Sequence, residues 1–406
     1  MKVALLTLGT RGDIQPFAVL GKALKARGHD VTISTAKNFS DFIASYDLPF
    51  VPVEADFQEV LNSPEGKKMM SNPFSARKHL HRLIYPMLSD ALNTFYKVSR
   101  ENDCVLFHVK AMGDVFADGC PGKFIRANVV PAIEPTASFI NPIISFTSAP
   151  KIFNRFSYKL SDLGMKMMGK PIHEFRKKQG MPASFKKMTI PSIYGISSHF
   201  LQQPDDFPSN AHFTGFWLEN SGEELDKGLA EFIRQGSPPL LFTLGSMPFQ
   251  AKINLVDTIL TLSKEHRFIL IQGWGFNDIE KFSANENVYV QRSAPYDKLL
   301  PLVKGVIHHG GIGTMAACLK AGRPSLTCPV LYPLGDQHFW GMVAYRKGVG
   351  LKPIPLKKLT LNHLRHAVDQ LVNNNDLQSN AENMRQKLAR EDGIENAIRW
   401  IERYAQ

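Results

Sequence analysis

Cysteine is scarce in this chain of 406 residues, and no uncharged apolar run is long enough to form a transmembrane helix. Its four cysteines, Cys104, Cys120, Cys318 and Cys328, have neither the spacing of a zinc site nor the density of a disulfide scaffold. We therefore expect buried thiols in a reducing cytosol and no structural zinc. The apolar run at residues 3–8 is too short for a signal peptide, and Arg11 and Asp13 follow it where a cleavage site of small residues would be needed. We therefore interpret the run as a first buried strand.

Positive charge is in excess, with 48 lysines and arginines against 37 acidic residues and a net charge of +11. No accompanying motif points to nucleic acid, so we expect no nucleic-acid partner. Much of the excess lies at residues 151–187, where basic and apolar residues alternate. One interpretation is a transient contact with a membrane surface, which would make a cytoplasmic protein peripheral to the membrane; the other is a solvated helix face.

Short apolar runs alternate with helical stretches in two parts of the chain. The first series comprises residues 3–8, 31–35, 50–53, 105–109 and 127–130, and the second comprises residues 240–244, 268–272, 288–290, 305–308 and 325–328. This alternation predicts two α/β domains with doubly wound parallel sheets, and the length suffices for two cores. We predict a first domain over 1–218, a linker over 219–238 and a second domain over 239–391.

A first helix is predicted over residues 16–27, because Pro16 is typical of a helix start and Gly28 is typical of the position after a helix end.

The most specific stretch of the chain is His-His-Gly-Gly-Ile-Gly-Thr at residues 308–314, between an apolar run and a helical pattern. Glycines at a strand-to-helix turn let backbone N–H groups and the helix dipole hold a diphosphate. About twenty residues later, Gly-Asp-Gln-His-Phe-Trp at 335–340 offers a carboxylate and an amide for sugar hydroxyls. Together they predict a nucleotide-sugar site.

At these motifs, and at Gly-Thr-Arg-Gly-Asp-Ile-Gln-Pro in residues 9–16, the chain resembles the GT-B nucleotide-sugar glycosyltransferases, in the branch of sterol and antibiotic or macrolide glycosyltransferases. The resemblance implies two Rossmann-like domains that face each other across a cleft, with the acceptor on the first and the donor on the second. It also implies that the last helix, about 392–406, packs back on the first domain.

The resemblance assigns roles on the donor side residue by residue. It implies diphosphate contacts at Ser246, His309, Gly311, Gly313 and Thr314, sugar contacts at Asp336 and Gln337, and nucleoside contacts at Ser293 and Ala294. The stretch that leads into the Gly-Asp-Gln motif, residues 329–337, is longer than in sterol-type members. The sequence has no Asp-x-Asp motif, so we expect no metal or other cofactor and activity that survives a chelator.

Asp13 follows the first predicted strand at the turn into a helix, which is an edge of the sheet where ligands bind. The resemblance implies that Asp13 is the general base. The alternative is a helix cap, since aspartate at such a turn commonly accepts backbone N–H groups.

The acceptor is the least constrained part. The acceptor cleft is predicted at Gly12, Phe139, Ile143 and Phe146, and the apolar character of this region suggests a lipophilic hydroxyl compound such as a sterol, triterpenoid, flavonoid or macrolide. We therefore expect an inverting transfer of a hexose, with UDP-glucose as the expected donor. The alternatives are a dTDP-sugar-dependent natural-product glycosyltransferase, and a nucleotide-sugar-binding protein or epimerase on the same fold.

Overall fold

The computed structural model describes residues 1–54, 84–144, 150–183, 188–245, 251–272 and 279–406, and only the backbone of residues 160–167. Within these ranges the strands are β1 (Lys2–Leu6), β2 (Asp30–Ala36), β3 (Phe50–Val53), β4 (Cys104–Phe107), β5 (Lys123–Asn128), β6 (Ser192–Tyr194), β7 (Ala211–Phe213), β8 (Leu240–Thr243), β9 (Phe268–Ile271), β10 (Val288–Gln291), β11 (Gly305–His308), β12 (Ser325–Thr327) and β13 (Gly350–Leu351).

Helices connect these strands and cover the sheets. They are α1 (Arg11–Ala26), α2 (Ser40–Ala44), α3 (Tyr85–Arg100), α4 (Lys151–Met167), α5 (Gly169–Lys178), α6 (Lys227–Arg234), α7 (Leu255–Leu262), α8 (Tyr296–Leu299), α9 (Ile312–Lys320), α10 (Gln337–Arg346), α11 (Leu361–Asn373), α12 (Asn375–Leu388) and α13 (Gly393–Ala405).

The strands form two parallel sheets, as predicted. The first has the order β3-β2-β1-β4-β5-β6-β7 and the second the order β10-β9-β8-β11-β12-β13. Each order reverses direction beside its first strand, which is the doubly wound arrangement. The central strands β1, β4, β8 and β11 are almost wholly apolar and buried, because helices cover both faces of a parallel sheet.

Three strands were not predicted from the sequence. The strands β6, β7 and β13 have only two or three residues each. β7, with the sequence Ala-His-Phe, has no long apolar run to signal it. Such short strands are stabilised by pairing with the preceding strand of the sheet rather than by their own composition.

The first helix begins earlier than Pro16, at Arg11. The backbone N–H of Thr10 donates to Asp13 Oδ2 at 2.8 Å, and the backbone N–H of Asp13 donates to the Thr10 carbonyl at 2.9 Å. These bonds satisfy the first donors of the helix, so it starts before the proline.

The predicted linker is also shorter than expected. Residues 227–234 form α6, whose N-cap Asp226 accepts a hydrogen bond from Leu229 N–H at 3.1 Å. Leu229 and Phe232 are buried with Leu241 and Ile269 of the second sheet, so α6 belongs to the second domain.

The last helix, α13, lies against the first domain. Arg27, just after α1, bonds to Glu395 and Glu402, and Asn396 donates to the Thr214 carbonyl at 3.1 Å. At its start, Gly393 packs on the backbone of Gly215. The helix thus connects the end of the chain to the sheet formed by its beginning.

Apolar packing joins the two domains directly. One continuous buried cluster contains residues of the first sheet together with residues of α9, α10 and α12. The indole of Trp340 stacks on Phe200 with ring centroids 6.0 Å apart, and Phe339 contacts Phe139 at 5.4 Å. Burial of such a ring contributes about 2–3 kcal/mol, so this contact fixes how the domains face each other.

Cys104, Cys318 and Cys328 are buried and Cys120 is half-buried, all as free thiols. None of the helices in the described ranges is long and apolar enough to cross a membrane.

Gly393→Ala should separate α13 from the first domain, because a Cβ at Gly393 would lie 2.4 Å from the backbone carbonyl carbon of Gly215. We expect a loss of about 1–3 kcal/mol in the free energy of unfolding, measured by urea denaturation. Gly169→Ala is the matched control, since a Cβ there meets nothing within 4 Å. Equal stability of the two variants would contradict this account of the helix.

Candidate active site

A cavity of about 1490 Å³ lies between the two sheets and is lined by residues of both domains. It adjoins residues that follow the carboxyl ends of several strands, where parallel sheets bind ligands. Most of the predicted site residues line it, namely Gly12, Asp13, Ile143, Ser293, Ala294, His309, Gly311, Gly313, Thr314, Asp336 and Gln337.

Among the described residues, one predicted site residue, Phe139, does not line the cavity. Phe139 is 9% exposed and packs on Phe339 in the core between the domains, so its ring stabilises the interface instead of lining the acceptor cleft. Ser246 and Phe146 lie outside the described residues.

Asp13 is the third residue of α1, and its carboxylate both supports the start of the helix and lines the cavity. Its Oδ2 accepts hydrogen bonds from Thr10 N–H at 2.8 Å and from Thr10 Oγ1 at 3.2 Å, so Asp13 completes a capping box in which Thr10 is the N-cap. Its side chain is also part of the cavity wall, with 14% of its surface exposed. A cap holds the carboxylate in one orientation, which suits a group that must meet a substrate.

Lys110 forms an ion pair with Asp13 that the sequence reasoning did not identify. Its Nζ lies 2.8 Å from Oδ1 and 2.7 Å from Oδ2 of Asp13. The pair rests against Gly9, where a Cβ would lie 2.1 Å from Asp13 Oδ2 and where φ is +133°. Glycine is therefore required at position 9 both by the backbone conformation and by the space that the carboxylate occupies.

His108 is the second neighbour of Asp13, with Nε2 at 3.7 Å from Oδ1. Its Nδ1 accepts the backbone N–H of Lys110 at 3.4 Å, so the neutral ring carries its hydrogen on Nε2, which is the nitrogen nearer Asp13. Burial lowers the pKa of His108 to about 4, although the charge of Asp13 opposes this. A neutral ring with this tautomer presents its N–H towards Asp13 and is poorly placed to accept a proton itself.

The electrostatic surroundings keep Asp13 ionised. Burial raises its pKa, but the charge of Lys110 and the hydrogen bonds from Lys110 and Thr10 outweigh burial, and the pKa is lowered below its usual value. Among the described residues, only Lys110 lies within hydrogen-bond distance of Oδ1. Oδ1 therefore retains a lone pair that a substrate hydroxyl can reach.

On the opposite wall, the ring of His309 lies between two glycines. A Cβ at Gly245 would be 2.8 Å from its Cε1, and a Cβ at Gly311 would be 2.4 Å from its Nε2. Burial lowers the pKa of His309 to about 4, so the ring is neutral near pH 7. Its Nδ1 has no hydrogen-bond partner in the described parts of the chain. A neutral His309 contributes a hydrogen bond to an anion and not a full positive charge.

The helix α9 begins beside this ring, with Gly311 as its N-cap. The N–H groups of the first turn of a helix have no partners within the helix and carry partial positive charge. Gly313 and Thr314 belong to that turn, and a Cβ at Gly313 would enter open space. A helix start of this kind can bind an anion such as a diphosphate.

Asp336 faces the cavity from the end of the 329–335 loop. Its Oδ2 accepts the indole N–H of Trp340 at 2.8 Å, so the tryptophan that stacks on Phe200 also orients this carboxylate. Burial raises the pKa of Asp336, and the hydrogen bond from Trp340 partly offsets that effect. The negative charge of Asp13 on the other wall of the cavity raises it further.

Gln337 holds the loop in place. Its Oε1 accepts the backbone N–H groups of Val330 and Leu331 at 2.8 and 3.0 Å. The loop also reaches the first domain, because Gly335 N–H donates to the Ile143 carbonyl at 2.7 Å and Leu334 forms an antiparallel bridge with Ile144.

His108, Lys110 and Trp340 were not identified as site residues from the sequence. His108 follows β4, which pairs with β1, and residues just beyond neighbouring parallel strands meet at one edge. Trp340 is four residues after Asp336, one helical turn away. Both relations are visible in sequence once the elements are known.

Comparison with known proteins decides the class. Residues 3–110 match the glycosyltransferase family 28 N-terminal domain, and residues 277–397 match the erythromycin biosynthesis protein CIII-like C-terminal domain. The chain is a glycosyltransferase. Among solved structures, this glycosyltransferase is similar to the glycosyltransferase of kitacinnamycin (TM-score 0.71, 18% identity, 99% and 98% of the two chains) and to VinC (TM-score 0.69, 17% identity, 100% and 99%). These likenesses confirm the GT-B fold.

Curated relatives of this glycosyltransferase fall into two groups. It is 29% identical to a sterol 3-beta-glucosyltransferase of Arabidopsis thaliana, over 98% of the chain and 67% of that protein. It is 27% identical to the O-mycaminosyltylonolide 6-deoxyallosyltransferase of Streptomyces fradiae, over 100% of the chain and 98% of that protein. It spans 30% of the sterol 3-beta-glucosyltransferase of Aspergillus fumigatus, to which it is 27% identical.

Gly311→Ala should displace the ring of His309, because the new methyl group would occupy its position. We expect the affinity for UDP, or for dTDP, to fall about tenfold in titration calorimetry, the equivalent of roughly 1.4 kcal/mol.

The control is His309→Ala alone and combined with Gly311→Ala. In the absence of the ring the methyl group has nothing to displace, so the double variant should bind as weakly as His309→Ala and no more weakly. Additive losses would show that Gly311 acts independently of His309.

Proposed function

We propose that this glycosyltransferase moves a hexose, with UDP-glucose as the expected donor, to a hydroxyl of a lipophilic acceptor, and that Asp13 is the general base. The observation that carries the proposal is the ionised Asp13 carboxylate, fixed by Thr10 and Lys110 on one wall of a cavity whose other wall holds an anion site at α9. The relatives that act on sterols and on a macrolide support a lipophilic acceptor.

The proposed step is one displacement. The acceptor oxygen attacks the anomeric carbon from the face opposite the diphosphate, and its proton passes to Oδ1 of Asp13. The bond between the anomeric carbon and the diphosphate oxygen breaks, and configuration inverts. Carboxylates are weak bases, so transfer occurs as the new bond forms, aided by positioning.

The charge that develops on the leaving diphosphate would be stabilised by the first turn of α9 and by a hydrogen bond from His309. Asp336, held by Trp340, and the loop held by Gln337 would bind sugar hydroxyls. Ser293 and Ala294 would contact the nucleoside from the same cavity wall. Since these groups serve the leaving group and the sugar, the proposal requires no divalent cation.

The donor has one serious alternative, a dTDP-sugar. The similar structure of VinC was solved with dTDP, and the Streptomyces fradiae relative is a 6-deoxyallosyltransferase. Donor choice is therefore tested with both nucleotides.

We propose further that α4 contacts an anionic membrane surface. The polar side chains of this helix face the protein and its apolar side chains face outward. Asn154 and Ser157 are buried and bond to the loop at residues 137–141. In contrast, Ile152, Phe153 and Phe156 are 80%, 54% and 55% exposed. Exposed lysines and an arginine alternate with these apolar residues, as in helices that lie on membranes.

Asp13→Asn should abolish acceptor-dependent release of UDP from UDP-glucose while leaving UDP binding within about twofold, because the amide keeps the shape of the side chain and cannot accept a proton. The assay contains a chelator and a panel of sterols, triterpenoids, flavonoids and macrolides, with dTDP-glucose in parallel. Transfer by Asp13→Asn at the wild-type rate would exclude Asp13 as the base. Release without any acceptor would indicate a hydrolase or an epimerase-like reaction.

Lys110→Met should raise the pKa of Asp13, because it removes the charge that lowers this pKa. Asp13 is active when ionised, so the acid limb of kcat/KM against pH should move to higher pH by about one unit or more. Lys110→Arg retains a cation and should keep the limb near its wild-type position. An unchanged limb in Lys110→Met would show that the ion pair does not control the base.

Replacement of Phe153 and Phe156 by serine should reduce sedimentation with vesicles that contain anionic phospholipid, since about half of each ring is exposed for insertion. Vesicles of neutral phospholipid are the control for charge. Equal sedimentation of wild type and variant would contradict the membrane contact.

A further inference from the structure

The acceptor side of the cavity contains a charged pair that the transfer reaction does not use. The walls there are largely apolar and include Val130, Ile133, Met188 and Ile190, yet Asp114 and Arg126 lie among them. Burial of a charged pair among apolar side chains costs free energy. A pair that nevertheless lines the cavity suggests a contact with a polar group of the ligand.

The contacts of this pair leave the carboxylate accessible. Arg126 donates to both oxygens of Asp114, through Nε at 3.2 Å and through a second, shorter bond, and its remaining terminal nitrogen donates to the Ile190 carbonyl at 2.6 Å. The Arg126 side chain is 18% exposed and the Asp114 side chain is 33% exposed. Each guanidinium nitrogen already donates to a protein oxygen, whereas each Asp114 oxygen can accept a further hydrogen bond, so the pair offers a ligand mainly an acceptor.

Two further groups define the chemistry of this end. Glu134 is a second acidic side chain in this region; it is buried, it accepts hydrogen bonds from Ser192 and Tyr194, and burial raises its pKa. Asn128, on the same face of β5 as Arg126, is 1% exposed, and its amide nitrogen has no hydrogen-bond partner within the described ranges. Its oxygen already accepts Val109 N–H at 3.1 Å.

The strand order of the sheet determines how far Arg126 lies from β1, the strand that precedes the proposed base. Arg126 is level with Phe107 of β4, which is level with Leu6 of β1, so β5 lies two strands away from β1. Two strand spacings amount to about 10 Å. Asp13 and Asp114 thus lie near the same edge of the sheet at well-separated points of one cavity.

We propose that the acceptor carries a second hydrogen-bond donor, a hydroxyl or an amine, at the end of its skeleton remote from the glycosylated hydroxyl, and that Asp114 binds this group. The proposal rests on the proposed function, because it names the substrate class of the same cavity. It makes Asp114 a specificity-determining residue and favours a rigid polycyclic acceptor that is polar at both ends over one with a bare hydrocarbon tail.

The test compares matched steroids with the wild-type enzyme. One carries a single hydroxyl on its first ring; three others add a hydroxyl, an amine or a methyl ether on the fourth ring. We expect kcat/KM about tenfold or more higher for the hydroxyl or the amine than for the single alcohol, since a hydrogen bond to a charged group is worth about one factor of ten or more. The methyl ether accepts but cannot donate, so it should behave like the single alcohol. Product NMR verifies that the first-ring hydroxyl is glycosylated.

Asp114→Ala should lower this ratio of kcat/KM values towards one, and any general loss of stability affects both substrates equally. Asp369→Ala, at an exposed position of α11, is the matched control and should keep the ratio. Equal kcat/KM for all four steroids would overturn the inference and leave the proposed function standing. Transfer to none of them would contradict the inference that the cavity takes a rigid polycyclic acceptor with a donor at each end, whereas transfer to another lipophilic acceptor of the panel would leave the proposed function standing.

Discussion

The apolar contact between the two domains is the constraint on which the rest of the site depends. Phe200 and Phe139 of the first domain pack on Trp340 and Phe339 of α10, inside one cluster that joins the first sheet to helices of the second domain. The same Trp340 donates its indole N–H to Asp336. Packing of the domains and orientation of a site carboxylate are therefore a single arrangement, and a shift of one domain would move Asp336 relative to Asp13.

Electrostatic balance across the cleft follows from that arrangement. Lys110 stabilises Asp13 as a carboxylate, and burial favours the protonated form of Asp336. The negative charge of Asp13 raises the pKa of Asp336, and the positive charge of Lys110 opposes this effect. Gly9 permits the ion pair to lie against the backbone, which links the glycine-rich first turn to the charge state of the proposed base.

Much of the architecture was predictable because parallel strands buried on both faces leave near-continuous apolar runs in the sequence. The runs at 50–53 and 305–308 coincide with β3 and β11. The short strands β6, β7 and β13 were not predicted, because they are stabilised by pairing with neighbouring strands and not by their own composition. The start of α1 was misplaced because Pro16 was given more weight than the Thr10 and Asp13 cap.

Site residues that belong to one local motif could be predicted from the sequence. Site contacts between residues far apart in the chain could not. The glycines around His309 and the position of Asp336 belong to local turns, so their approach to one cavity could be anticipated. Lys110 reaches Asp13 across 97 positions of the chain, and Asp114 pairs with Arg126 only through the fold of β5. Phe139 was assigned to the acceptor cleft on its apolar character, which does not distinguish a cavity wall from a domain interface.

The central claim is a single displacement in which Asp13 deprotonates the acceptor on the side opposite the diphosphate. The anomeric configuration of the product tests it most directly. The first acceptor found to be glycosylated from UDP-α-glucose is isolated, and the proton coupling at its anomeric carbon is measured by NMR. The account predicts a β-linked sugar, the inverted configuration. An α-linked sugar would contradict it, because retention requires a different reaction path from the one that this geometry supports.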